Sequence, residues 1–135
     1  MARLKDRGSK SSSLLKERSE PVDNPDLKPP LFSFEFMQDN YCVSACTSDE
    51  RGNVLSKLRT LSKLTWQQIK QADRHGLGFE IIERDSFRAA IPRFLTPEIN
   101  LIAFRAIGMA PMVGYRAGRI FHILWIDRNF TVYNH

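Results

Sequence analysis

A chain of 135 residues with 42% hydrophobic side chains can bury one core but is too short for two of ordinary size, so a single domain is expected. No apolar run reaches the ~18 residues of a membrane span, and the first thirty residues lack the apolar centre of a signal peptide, which points to a cytoplasmic protein with no membrane partner. A formal net charge of +5 favours an acidic partner, nucleic acid foremost.

Residues 1–30 carry Gly8, a serine-rich run from Ser9 to Ser13, and Pro21, Pro25, Pro29 and Pro30, with basic residues at Arg3, Lys5, Arg7 and Lys10. Such a composition cannot bury a core and predicts a flexible basic extension, which leaves 31–135 as the domain. From Leu31 to Met37, phenylalanines alternate with other residues at the period of a half-buried strand. Thr47-Ser48-Asp49-Glu50 has the form of a capping box, and Val54, Leu55, Leu58, Leu61 and Leu64 follow at helical spacing. A second box, Thr65-Trp66-Gln67-Gln68, opens a shorter helix with Trp66, Ile69 and Ala72 on its apolar side, ending before His75-Gly76. The two helices form a helical hairpin. Gly78 to Ile82 reads as a strand or a docking segment, and Arg84 to Pro97, interrupted by Pro92, as an irregular connection.

Residues 99–135 read as four antiparallel strands. The whole is an α+β layout: an N-terminal strand, a helical hairpin, then an antiparallel β-meander, with the helices on one face and the other face left for function. The strand ending at Ile126 is apolar on both sides and should lie inside the sheet.

Turn residues set the registers of these strands. A two-residue turn at Ala117-Gly118 would put Arg116 opposite Arg119, an unfavourable like-charge pairing. A four-residue turn over Gly108 to Pro111 would set Ile107 opposite Met112, Arg105 opposite Gly114 and Ala103 opposite Arg116, bringing Arg105 to the same face. A three-residue loop at Asp127-Arg128-Asn129 would pair Ile123 with Tyr133 and Phe121 with His135, adding both to the arginine face; a two-residue loop would send them to the opposite face with His122.

Arg105, Arg116, Arg119, Tyr133 and His135 therefore form a candidate anion-handling group. No lysine follows Lys70, whereas eight arginines do, among them Arg93, and the planar guanidinium grips phosphate in a way that lysine does not. His75, beside Gly76 after the second helix, is a further candidate. Phe121, His122 and Trp125 read as core residues. Cys42 and Cys46 read as free thiols, a zinc site combining them with His122 and His135 lacks a second closely spaced ligand pair, and no metal or cofactor is expected.

The order of strand, helical hairpin and meander, the segment from Gly114 to Trp125 and the closing Tyr133-Asn134-His135 resemble the RelE/ParE superfamily of bacterial toxins over residues 31–135. Arg119 is the counterpart of the arginine on the family's Gly-x-x-Arg strand, although position 116 here holds arginine and not glycine, and Tyr133 and His135 match the closing residues of its YoeB- and HigB-type ribonucleases. Residues 1–30 and 84–97 make the chain longer than the usual toxin, and the lysines of RelE-type members have no counterpart here. The resemblance implies the toxin of a type II toxin-antitoxin system, a metal-independent mRNA endoribonuclease whose partners are RNA, free or on the ribosome, and an antitoxin protein. It gives His135 the acid-base role, Tyr133 an orienting or proton-donating one, Arg116 and Arg119 the scissile phosphate, and Arg105, His75 and Arg93 further RNA contacts. The ParE branch shares the fold without nuclease residues, so a non-catalytic protein that binds nucleic acid or a protein target is the alternative.

Overall fold

The computed structural model describes residues 23–135. The chain is α+β, with strands β1 (Leu31–Ser33), β2 (Phe79–Ile82), β3 (Leu101–Ile107), β4 (Ala110–Ala117) and β5 (Ile120–Ile126), and helices α1 (Ser48–Leu61) and α2 (Trp66–Lys70). The strands form one mixed sheet in the order β1-β5-β4-β3-β2, in which only the β1–β5 pair is parallel. Among the described residues no helix is long and apolar enough to cross a membrane.

Both expected capping boxes form. The Thr47 side chain accepts from the Glu50 N–H at 3.1 Å while Glu50 accepts from the Thr47 N–H at 2.8 Å, and Thr65 and Gln68 repeat the exchange at 3.2 and 2.9 Å. Behind the caps, Val54, Leu58, Leu61, Trp66 and Ile69 are buried against Ile102, Phe104, Met112, Phe121, Ile123 and Ile126, so the helices cover one face of the sheet. Trp66 anchors this layer: its ring is fully buried, its indole N–H donates to the Arg119 carbonyl at 2.9 Å, and its backbone N–H donates to Lys28 at 3.1 Å.

The opposite face is not left open. Ile82, Leu101, Ala103, Val113, Leu124 and Trp125 pack there under Leu95, Val132 and Tyr133, supplied by the irregular segment 84–97 and the chain after β5. Arg84 braces this cover, its guanidinium donating to the carbonyls of Leu95, Thr96 and Ile99 at 2.7–2.9 Å. Phe121 and Trp125 are core residues, and β5 lies inside the sheet as expected. His122 is less comfortable than a satisfied core histidine, because it stacks on Tyr115 while its buried Nδ1 has no hydrogen-bond partner.

The registers correct the expected meander. The β4–β5 turn is Gly118-Arg119, with Ala117 opposite Ile120 and Arg116 opposite Phe121. Glycine takes the first turn position with φ +63°, where a β-carbon is disfavoured, and this removes the like-charge pairing of Arg116 and Arg119. The β3–β4 turn is likewise two residues, Gly108-Met109, so Ile107 lies opposite Ala110, Arg105 opposite Pro111 and Ala103 opposite Val113, with a bulge beside Ala106. A further irregularity between Val113 and Gly114 brings β4 so close to β5 that a β-carbon at Gly114 would lie 1.9 Å from the His122 carbonyl oxygen.

The fourth meander strand is absent: β1 holds the other edge of β5, and the final segment joins residues 86–89 instead, around an isolated antiparallel bridge between Phe87 and Tyr133. Neither expected pairing of Ile123 with Tyr133 or of Phe121 with His135 exists. Residues 1–22 of the expected extension lie outside the described residues. Residues 23–30 pack on the domain instead, Asp26 bonding Lys70 and Arg116, and Pro29 accepting from Arg119. The domain therefore begins before Leu31.

Candidate active site

The chain turns sharply after β5, and one side chain organises the turn. Asp127 is fully buried, and its carboxylate accepts the backbone N–H groups of Thr131 at 2.7 Å and Val132 at 3.0 Å. These bonds curl residues 127–132 back on themselves, and the Val132 carbonyl then accepts from Arg88 and Ala89 at 2.8 and 3.0 Å. Asn134 donates to Ser86 at 2.8 Å, which fixes the end of the segment. His135 consequently returns to Asp127, its Nε2 standing 3.3 Å from Oδ2.

The imidazole is held on three sides. It stacks on Tyr133 with ring centres 4.0 Å apart, and the Phe130 ring meets it edge-on at 5.0 Å. A buried carboxylate on one ring nitrogen sets the tautomer and orientation of an imidazole and leaves the other nitrogen for chemistry. Beside this group lies an open cleft of about 380 Å³ lined by Arg74, Glu80, Arg105, Met109, Phe130, Tyr133, Asn134 and His135. Glu80 comes from β2, Arg105 from β3 and Arg74 from the loop after α2, so the cleft gathers groups from four separate parts of the chain.

Its electrostatics are mixed. Arg74 pairs with Glu80 at 3.4 Å, and Arg105 donates to the Met109 carbonyl at 2.8 Å, which points its guanidinium toward the β3–β4 turn. Burial first, and then the Glu80 carboxylate, pushes the Tyr133 phenol up to about 12, with Arg105 pulling the other way. The phenol therefore stays protonated through the neutral range and can donate or accept a hydrogen bond there.

Of the residues expected to act together, the structure joins Arg105, Tyr133 and His135. Arg116 and Arg119 lie elsewhere. Arg116 sits 4.3 Å over the Trp66 ring on the helix-covered face and pairs with Asp26, and it also donates to the Gly118 carbonyl; Arg119 is a turn residue whose guanidinium donates to Pro29 at 3.0 Å. Their expected common face with Arg105 followed from a regular four-residue turn over Gly108 to Pro111; the bulge beside Ala106 instead sets Arg105 opposite Pro111 and sends it to the face away from Arg116, while Arg119 falls in the β4–β5 turn. His75 is exposed and accepts from Arg74 at 3.3 Å, which puts it behind a cleft residue and not among the lining ones. Arg93 is exposed on the irregular segment, away from the cleft.

Asp127, Glu80, Arg74 and Phe130 escape a reading of the sequence. Asp127 reads as a turn residue, and the only sign of its second use is the run of polar and β-branched residues that can fold back on it. Glu80 and Arg74 carry no signal at all, because only the pairing of β2 with β3 brings them to the end of the chain. Family models, curated proteins and solved structures compared with the chain include none that match it.

Proposed function

We propose that this chain is a metal-independent endoribonuclease of the RelE/ParE type, acting as the toxin of a type II toxin-antitoxin system by cutting mRNA. The observation that carries the reading is the meeting of an imidazole oriented by buried Asp127, a carboxylate and two arginines in one cleft. The order of strand, two helices, edge strand and three antiparallel strands supports the RelE-like reading of the fold. The net charge of +5 suits an RNA substrate and an acidic antitoxin that covers the basic surface.

Cleavage of RNA by its own ribose needs one base, one acid and neutralisation of the phosphate. Glu80 takes the proton of the 2′-hydroxyl as the oxygen attacks the adjacent phosphorus. The bond to the 5′-oxygen of the next nucleotide breaks, and the His135 imidazolium gives that oxygen its proton. The products are a 2′,3′-cyclic phosphate and a free 5′-hydroxyl. Arg105 and Arg74 hold the phosphate oxygens as charge grows on them, and the neutral Tyr133 phenol keeps the imidazole in place by stacking.

His135→Ala should reduce RNA cleavage and growth inhibition by a factor of about 10² to 10⁴, the range typical of a lost general acid or base, while leaving the thermal midpoint nearly unchanged. Cleavage by His135→Ala at the wild-type rate would remove the catalytic reading. Undiminished RNA binding by a wild-type chain that does not cleave would favour the non-catalytic alternative.

A further inference from the structure

Phe130 combines three properties that packing does not explain. Its backbone has φ +58°, a left-handed conformation that a bulky aromatic residue rarely adopts. Its side chain is 39% exposed, so burial does not compensate for the strain. It is nevertheless held there firmly: its N–H donates to the Asp127 carbonyl at 3.3 Å, and its own carbonyl accepts from Arg88 at 3.1 Å. Asparagine or glycine would suit this turn position better.

What the conformation achieves is placement. It puts the ring at the mouth of the cleft, edge-on to His135, with exposed Met109 also lining that opening and Arg74 and Arg105 inside it. A half-exposed aromatic ring beside two guanidinium groups matches a nucleotide, the ring taking the base face and the cations taking the phosphate. Backbone strain that persists at a cleft, with only the edge-on contact to His135 and a largely open ring in return, points to a position kept for a ligand.

We infer that Phe130 is a nucleobase-stacking platform, with Met109 as its apolar neighbour, that seats one unpaired base of the RNA next to the scissile phosphate. The inference rests on the ribonuclease reading and deepens it by naming the subsite. A base on the open face of Phe130 brings its ribose toward His135. Stacking is tolerant of base identity, so the subsite selects unpaired over paired RNA more than one base over another.

The test compares wild type, Phe130→Asn and Phe130→Tyr with a short single-stranded RNA and with the same RNA carrying one abasic position, reading KM, kcat and the thermal midpoint. Phe130→Asn is expected to raise KM about tenfold, in line with the loss of one base–aromatic stack, with no fall in the thermal midpoint because the turn is relieved. Phe130→Tyr should keep the wild-type KM. The abasic RNA should raise KM for wild type but not further for Phe130→Asn. An unchanged KM in a Phe130→Asn protein that still cleaves overturns the platform and leaves the ribonuclease reading standing. A fall of several degrees in the thermal midpoint of Phe130→Asn, with KM unchanged, assigns the residue to folding alone. Absence of RNA cleavage by wild type overturns both.

Discussion

The two faces of the sheet are built by different rules. On the helical face, the apolar residues of α1 and α2 repeat at helical spacing behind two capping boxes, and each contact follows from a pattern a few residues long. On the opposite face the described residues supply irregular chain with one short 3-10 turn at Arg84–Ser86: segment 84–97 and the turn after β5 cover the sheet, held by Arg84 on three carbonyls and by Asp127 on two N–H groups. Regular structure satisfies its own backbone and leaves side chains for packing. Irregular chain needs side chains to satisfy its backbone, and the groups that do so become available for orienting others. The cleft lies on the second face for that reason, since the carboxylate that shapes the turn is the one that meets His135.

The contrast can be broken most severely at Trp66. Replacing it with alanine empties a fully buried site and removes its indole N–H bond to the Arg119 carbonyl, and Trp66→Ala should cost about 3–5 kcal/mol in denaturant unfolding. Such a protein, where still folded, should retain the cleft; a loss below about 1 kcal/mol would mean that the helical face is not the stabilising layer.

A smaller effect sharpens the other face. The phenol of Tyr133 is pushed up to about 12 in the fold, above the value of about 10 for an unfolded tyrosine, so its contribution to stability is complete below pH ~10 and lost as the pH rises toward 12. The loss amounts to on the order of 2–3 kcal/mol. Wild type should therefore lose that much more stability than Tyr133→Phe between pH 10 and 12, measured by denaturant midpoints. Equal losses in the two proteins would show that the phenol is not buried as described.

Legibility in the sequence follows the same division. Thr47 with Glu50 and Thr65 with Gln68 are readable because each box closes within four residues. The hairpin turns are readable as turns but not as registers: a four-residue turn over Gly108 to Pro111 and a two-residue turn at Ala117-Gly118 suit the turn residues as well as the observed Gly108-Met109 and Gly118-Arg119 do, and the one-residue bulge beside Ala106, which changes which side chains share a face, has no local signal. The parallel pairing of β1 with β5 had no local signal, and it alone displaced the expected fourth meander strand. Tyr133 and His135 are candidates in part through that strand and Arg105 through the Gly108–Pro111 turn, and the three meet by a different route, with Tyr133 and His135 brought to Arg105 by the Asp127 turn and the Phe87 bridge. The bulge beside Ala106 and the Gly118-Arg119 turn part Arg116 and Arg119 from this group, and Glu80 and Arg74 depend on tertiary contacts that no spacing announces.

The central claim is that His135 and Glu80 carry out attack by a ribose 2′-hydroxyl. Its most direct test is the chemistry of the cut ends, read by mass spectrometry on an RNA and on the same strand with a single 2′-deoxy substitution at the cleaved position. The account predicts 2′,3′-cyclic phosphate and 5′-hydroxyl ends on the RNA and no cleavage at the substituted position. Ends bearing a 3′-hydroxyl and a 5′-phosphate, or continued cleavage after the deoxy substitution, would contradict it.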